Sequence, residues 1–230
     1  MDNISLSLSQ RPENTRDPIP TKTVVNFSLD EIKQHFDESL EYIKNQTPIA
    51  RELINQSKET EGKNVLRSQI VFIESILDFY LHELSKYAIS SMFVGRWEKS
   101  LKYQNLMVSM KYIEKGIAAP ESVQWLTEYL NERFSKEVYL GFEQMKDQVN
   151  LMGISFKDVL SSAFSSYETG KQFVVNLFQR RNQIAHQIDR KHETAIQEDI
   201  NENYVDNCIN EVYNLVSCIH NAAVTKENSL

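Results

Sequence analysis

Glycine and proline are scarce in this 230-residue sequence, six and five residues respectively, and stretches that alternate apolar with polar residues are nearly absent. A fold of many short strands and tight turns is therefore excluded in favour of helices. No apolar run approaches the roughly 20 residues a helix needs to cross a bilayer. The opening segment, MDNISLSLSQRPENTRDP, lacks a basic start and a greasy centre, so it does not read as a secretory signal. The two cysteines, Cys208 and Cys218, fall ten apart on one expected helix and are badly placed to pair. That usage points to a reducing, cytoplasmic setting. Glycine-rich phosphate loops, Walker motifs and nucleophile elbows are missing. His35, His82 and His220 have no companions at ligand spacing, so neither a metal nor a cofactor is expected. An excess of positive charge is lacking too. The formal net charge of -7 argues against a basic coat for gripping nucleic acid.

Helical periodicity is what the chain has. Residues 1–26 hold Pro12, Pro18 and Pro20 among polar residues and read as a mobile arm. Ser28 and Glu31 form a capping box, with Phe27 and Ile32 placed as a hydrophobic staple, and Phe36, Leu40 and Ile43 continue the apolar stripe. Thr47-Pro48 opens a second helix, with proline at its favoured first position, running to about Gly62. A long, strongly apolar helix is expected from about Asn64 to Met92, central to the core. Gly95 and Gly116 bracket another helix, and Pro120 opens one more. FSKEVYLGF reads as helix for want of a partner strand, and the serines of LSSAFSSYETG as a loop before a helix starting near Gly170. Val205, Ile209, Val212, Val216, Ile219 and Ala223 repeat at 4-3-4-3-4 spacing on a last helix, suited to packing on another helix of this chain or of a partner. The tryptophans and tyrosines fall at core spacing.

Charge is unevenly spread. Lys171, Arg180, Arg181, Arg190 and Lys191 stand against the single acid Asp189, whereas residues 193–211 carry six acids and no Lys or Arg. Two readings stay open on charge alone: a local basic site beside an acidic flank, or an ordinary solvated face. The segment RRNQIAHQIDR lies in the basic part. On a helix Asn182 and His186 share a face, while Arg181, five before the histidine, points about 140° away from it. Arginine offers a fixed-charge fork for phosphate oxygens, histidine exchanges protons near neutral pH, and asparagine orients either by hydrogen bonds. Those are ingredients for handling a phosphodiester. By spacing alone, a structural histidine is the commoner outcome.

RRNQIAHQIDR resembles the signature of the HEPN superfamily: an Arg, a polar residue that is commonly Asn, and a His four to six positions on. Arg181, Asn182 and His186 occupy those positions. The early helix with VFIESILDFYLHEL is similar to the family's first core helix, and the amphipathic helix after the motif, from about Glu198 to Ala223, is similar to its last. The run as a whole, with Arg180 before and Asp189 after, looks most like the RiboL-PSP-HEPN branch. The likeness covers residues 64–92 and 170–223. It implies an all-α, HEPN-type helical bundle over residues 63–225, with additional N-terminal helices at 27–62 and a helical insertion at about 95–168. It also implies a metal-independent endoribonuclease, acting as a homodimer in toxin or phage-defence systems with an antitoxin or sensor as partner. In that chemistry the RNA 2′-hydroxyl attacks the adjacent phosphate: His186 transfers protons, Arg181 stabilises the phosphorane and Asn182 orients. Arg180, Arg190 and Lys191 would draw in the RNA backbone. Glu74, on the early helix with Asp78, is placed either to orient Arg181 or simply to edge the core. In the branch paired with a nucleotidyltransferase antitoxin a tyrosine lies two residues after the histidine and is modified; Ile188 stands there in this chain. A second reading remains, a non-catalytic HEPN module that binds RNA, nucleotide or protein.

Overall fold

The computed structural model describes residues 27–191 and 193–229; the expected N-terminal arm and His192 lie outside them. Among the described residues the chain is all-α, ten helices with one isolated antiparallel bridge between Arg190 and Gln197. Helix α1 (Leu29–Lys44) starts at the expected capping box: Ser28 Oγ accepts from the Glu31 backbone N–H, and the Glu31 carboxylate accepts from the Ser28 N–H at 2.7 Å. Its stripe of Ile32, Phe36, Leu40 and Ile43 is buried. Helix α2 (Thr47–Asn55) stops earlier than expected, because Ser57 takes a positive φ of 63° and turns the chain.

Helix α3 (Glu59–Phe93) is the spine, 35 residues and about 50 Å long. Helices α1, α2, α6 (Gln124–Phe134), α7 (Phe142–Leu151), α9 (Tyr167–Gln187) and α10 (Glu202–Glu227) all pack on it. This explains why it buries residues almost all round, from Leu66 and Ile70 to Ala88 and Met92. Gln69, fully buried, donates to the Ile43 carbonyl at 2.7 Å and to Thr47 Oγ1 at 2.9 Å, so the α1–α2 elbow is fastened to the spine. The two N-terminal helices therefore share the main core instead of sitting apart from it.

The expected face of the last helix, Val205 through Ala223, is buried entirely against α1, α3 and α8 (Phe156–Ala163) of the same chain. At roughly 1.5–3 kcal/mol for each fully buried aliphatic, this face outweighs anything that intrinsic helix propensity supplies. Between Gly95 and Gly116 two short helices replace the single one expected: α4 (Leu101–Gln104) and α5 (Met110–Ala118). In FSKEVYLGF the helix ends at Phe134 and residues 135–141 are not helical, with α7 starting at Phe142. Tyr139 and Leu140 are both buried, and the Tyr139 N–H donates to Asp78 Oδ1 at 2.8 Å instead of to a carbonyl one turn back. Within residues 95–168, α6, α7 and α8 all contribute to the core, whereas α5 contributes only Tyr112 and α4 no buried residue.

Candidate functional site

Helix α9 carries the motif. It starts three residues before Gly170, where Ser166 Oγ accepts from the Thr169 N–H at 3.1 Å. Gly170 lets α9 approach α8: a Cβ there would meet Phe164 Cδ2 at 2.7 Å. Val174 and Leu177 bury the inner face, and α9 runs antiparallel to the spine, with Glu74 beside Arg181 and Arg67 beside Asp189.

Arg181 looks inward and reaches outward. Its Nε faces Glu74 Oε2 at 3.9 Å, too far for a hydrogen bond, and among the described residues both atoms are buried without one. Its Nη1 donates to Asn182 Oδ1 at 3.0 Å. Glu74 is 1% exposed; burial, helped by Asp78 and opposed by Arg181, pushes its carboxyl up to about 8. Asn182 lines an open groove of about 500 Å³ with Val175, Phe178, Gln179, Gln183 and the start of α7. His186 lies one turn beyond Asn182 on that face, exposed, and its ring makes no hydrogen bond among the described residues. The structure thus joins Arg181 to Asn182 and leaves His186 open beside them. Neither Arg181 nor His186 lines the groove itself.

The flanking charges divide. Asp189 is fully buried; its Oδ2 accepts from Arg67 Nε and from Arg180 Nη2, each at 2.8 Å. Burial pushes the Asp189 carboxyl up from its ordinary value, against the pull of the two guanidiniums. Arg180 also pairs with Glu198 at 2.8 Å and lies 5.9 Å over the Tyr204 ring. The structure does not place Arg180 facing solvent as an RNA contact would: its side chain is 10% exposed and pairs with the buried Asp189 and the 40% exposed Glu198. Arg190 is exposed and donates to the Ala195 carbonyl at 2.7 Å, shaping the loop after α9. Lys191 is exposed in the same loop. Ile188 and Asp189 both adopt positive φ, 51° and 62°, a costly conformation for a β-branched residue. The buried Asp189 pairs hold this strained exit immediately after His186.

Sequence reasoning missed Arg67 and Glu198, which complete that cluster. The signal was available for Arg67: it stands seven residues before Glu74 on the buried face of an apolar helix, where an unpaired charge is not tolerated. Among the described residues no three His, Cys, Asp or Glu side chains gather to hold a metal ion, and no helix is long and apolar enough to cross a membrane. Comparisons with protein-family models, with curated proteins and with solved structures find no match for this chain.

Proposed function

We propose that this chain is a metal-independent endoribonuclease of HEPN type, acting as a toxin or phage-defence effector and restrained by an antitoxin or sensor protein. The observation that carries this reading is the junction at α9. A guanidinium hydrogen-bonds the Asn182 amide, and an imidazole with no hydrogen bond among the described residues sits solvent-open one turn further along that face. Among the described residues the one carboxylate paired with Arg181, that of Glu74, is too buried to ionise readily, so the guanidinium charge stays uncompensated and open to a phosphate. His186 takes the 2′-hydroxyl proton and returns one to the leaving 5′-oxygen, Arg181 stabilises the charge on phosphorus, and Arg190 and Lys191 attract the backbone.

Purified protein incubated with RNA in EDTA tests this directly. Cleavage leaving a cyclic phosphate is expected, reduced by 100-fold or more in both Arg181→Ala and His186→Ala. RNA binding without cleavage, indifferent to His186→Ala, would instead support the non-catalytic module.

A homodimer belongs to the same proposal. Arg181 and His186 diverge by about 140° on one helix, so two copies set face to face supply a fuller cleft than one. The spine offers a surface for this beside the end of α9. Phe72 and Phe79, two turns apart on α3, are each 46% exposed, and Phe72 lies next to Val71, Ile184 and the 69% exposed Ile188. Light scattering at micromolar concentration is expected to give twice the chain mass, and Phe72→Asp with Phe79→Asp to give a monomer with cleavage at least tenfold weaker. A wild-type monomer that still cuts RNA would overturn the dimer.

A further inference from the structure

A second groove, of about 660 Å³, opens on the other side of α7 between α4 and the segment after α6. Its walls are largely apolar: Leu101, Leu106, Met107, Val138 and Leu151. Leu101, Met107 and Val138 are strongly exposed, Met107 at 86%, so they make a lip with little protein to cover it. Polar and charged side chains also line the groove, and two of them, Gln148 and Arg133, carry buried donor atoms without a hydrogen bond among the described residues. Gln148 is 5% exposed, and its Nε2 is buried and donates to no protein atom among the described residues. Arg133 donates through Nη1 to the Tyr129 hydroxyl at 2.8 Å, while its Nε is buried without a hydrogen bond, facing Glu137 Oε1 at 3.3 Å. The charges at the mouth cancel locally, Arg133 against Glu137 and Lys102 against Asp147. Apolar walls, a volume in the range of small-ligand sites, and donors in want of an acceptor are the attributes of a ligand pocket.

The geometry points to this groove as a binding site for a small molecule with an apolar body and an oxygen acceptor head, a carbonyl or a carboxylate. The apolar body displaces water from the Leu101–Met107–Val138 lip, and the head accepts from Gln148 Nε2, the donor that lacks a partner among the described residues. Head groups that only donate gain nothing from the buried donors, and the carboxylates at the mouth, Glu137 and Asp147, are already paired with Arg133 and Lys102. The site is separate from the motif groove, although Gln144 lines both.

Calorimetric titration of the full chain with decanoate, 2-decanone and decylamine decides the matter. Decanoate, 2-decanone or both are expected to bind saturably at one site per chain with Kd in the millimolar range or below, and decylamine at least tenfold more weakly. Which of the two acceptors binds better separates a carboxylate ligand from a neutral carbonyl one. Val138→Arg, on an exposed residue of this groove alone, is expected to weaken binding at least tenfold with an unchanged circular dichroism spectrum. Gln179→Arg, in the motif groove alone, is expected to leave it unchanged. Gln148→Leu is expected to abolish the preference for acceptor heads. No saturable binding of either acceptor, equal binding of decylamine, or indifference to Val138→Arg overturns the proposal, and none of these outcomes bears on RNA cleavage.

Discussion

Replacing Asp189 by alanine is expected to destabilise the fold by about 3–5 kcal/mol, the cost of stranding buried charge. The carboxylate is wholly inside, and its Oδ2 takes a hydrogen bond at 2.8 Å from each of two guanidiniums. Arg67 and Arg180 are themselves 6% and 10% exposed, so neither reaches water when its partner is lost. Arg180 retains Glu198, and Arg67 retains the Glu198 carbonyl at 2.7 Å, which sets the loss below that of two naked charges. The same substitution removes what holds Ile188 and Asp189 at positive φ, so the exit of α9 is expected to fray up to His186. Urea or thermal unfolding checks this. At the usual scaling for a chain of this length the midpoint falls by roughly 6–20 °C. Asp147→Ala, which breaks the exposed pair with Lys102, is the control and is expected to shift stability by no more than about 1 kcal/mol. An Asp189→Ala protein with an unshifted midpoint would remove the cluster from any account of how the motif is held.

The elements legible in the sequence are those whose side chains alone decide them. The capping box at Ser28 and Glu31, the seam from Val205 to Ala223 and the long apolar spine each declare themselves by spacing. In each, the local signal and the burial agree. The segment 135–141 was not legible, because its conformation depends on Asp78, sixty-one residues away, accepting from the Tyr139 N–H. Arg180 shows the same limit at the site. Beside Arg181 it reads as one more surface cation. Its inward turn follows from Asp189 and Glu198, and only the fold brings Arg67 to complete the group. Glu74 was half legible: its helix position admitted either an orienting partner for Arg181 or an edge of the core. The structure places it both in the core and 3.9 Å from the guanidinium.

Glu74 sets the expected pH dependence. With its carboxyl pushed up to about 8 by burial, the folded chain keeps the proton between about 4.5 and 8 while the unfolded chain releases it. The folded state then binds more protons, so stability falls as pH rises through that window and levels off above about 8. The fall amounts to something on the order of 5 kcal/mol for this one group. His220 acts oppositely. Burial and Lys33 lower its pKa, against Asp30 and Asp37, so its contribution is lost as pH falls below about 6.5. The difference between wild type and Glu74→Gln isolates the first effect, since glutamine keeps the shape and cannot ionise. The variant is expected to match the wild type near pH 5 and to become progressively more stable than it toward pH 8. The nuclease reading adds a second consequence. Above about pH 8 the ionised carboxylate competes with phosphate for Arg181, so wild-type cleavage is expected to decline there while Glu74→Gln holds its rate. Parallel pH profiles for the two proteins, in stability and in cleavage alike, would mean that Glu74 is already ionised at neutral pH and that Arg181 enters the site with its charge compensated.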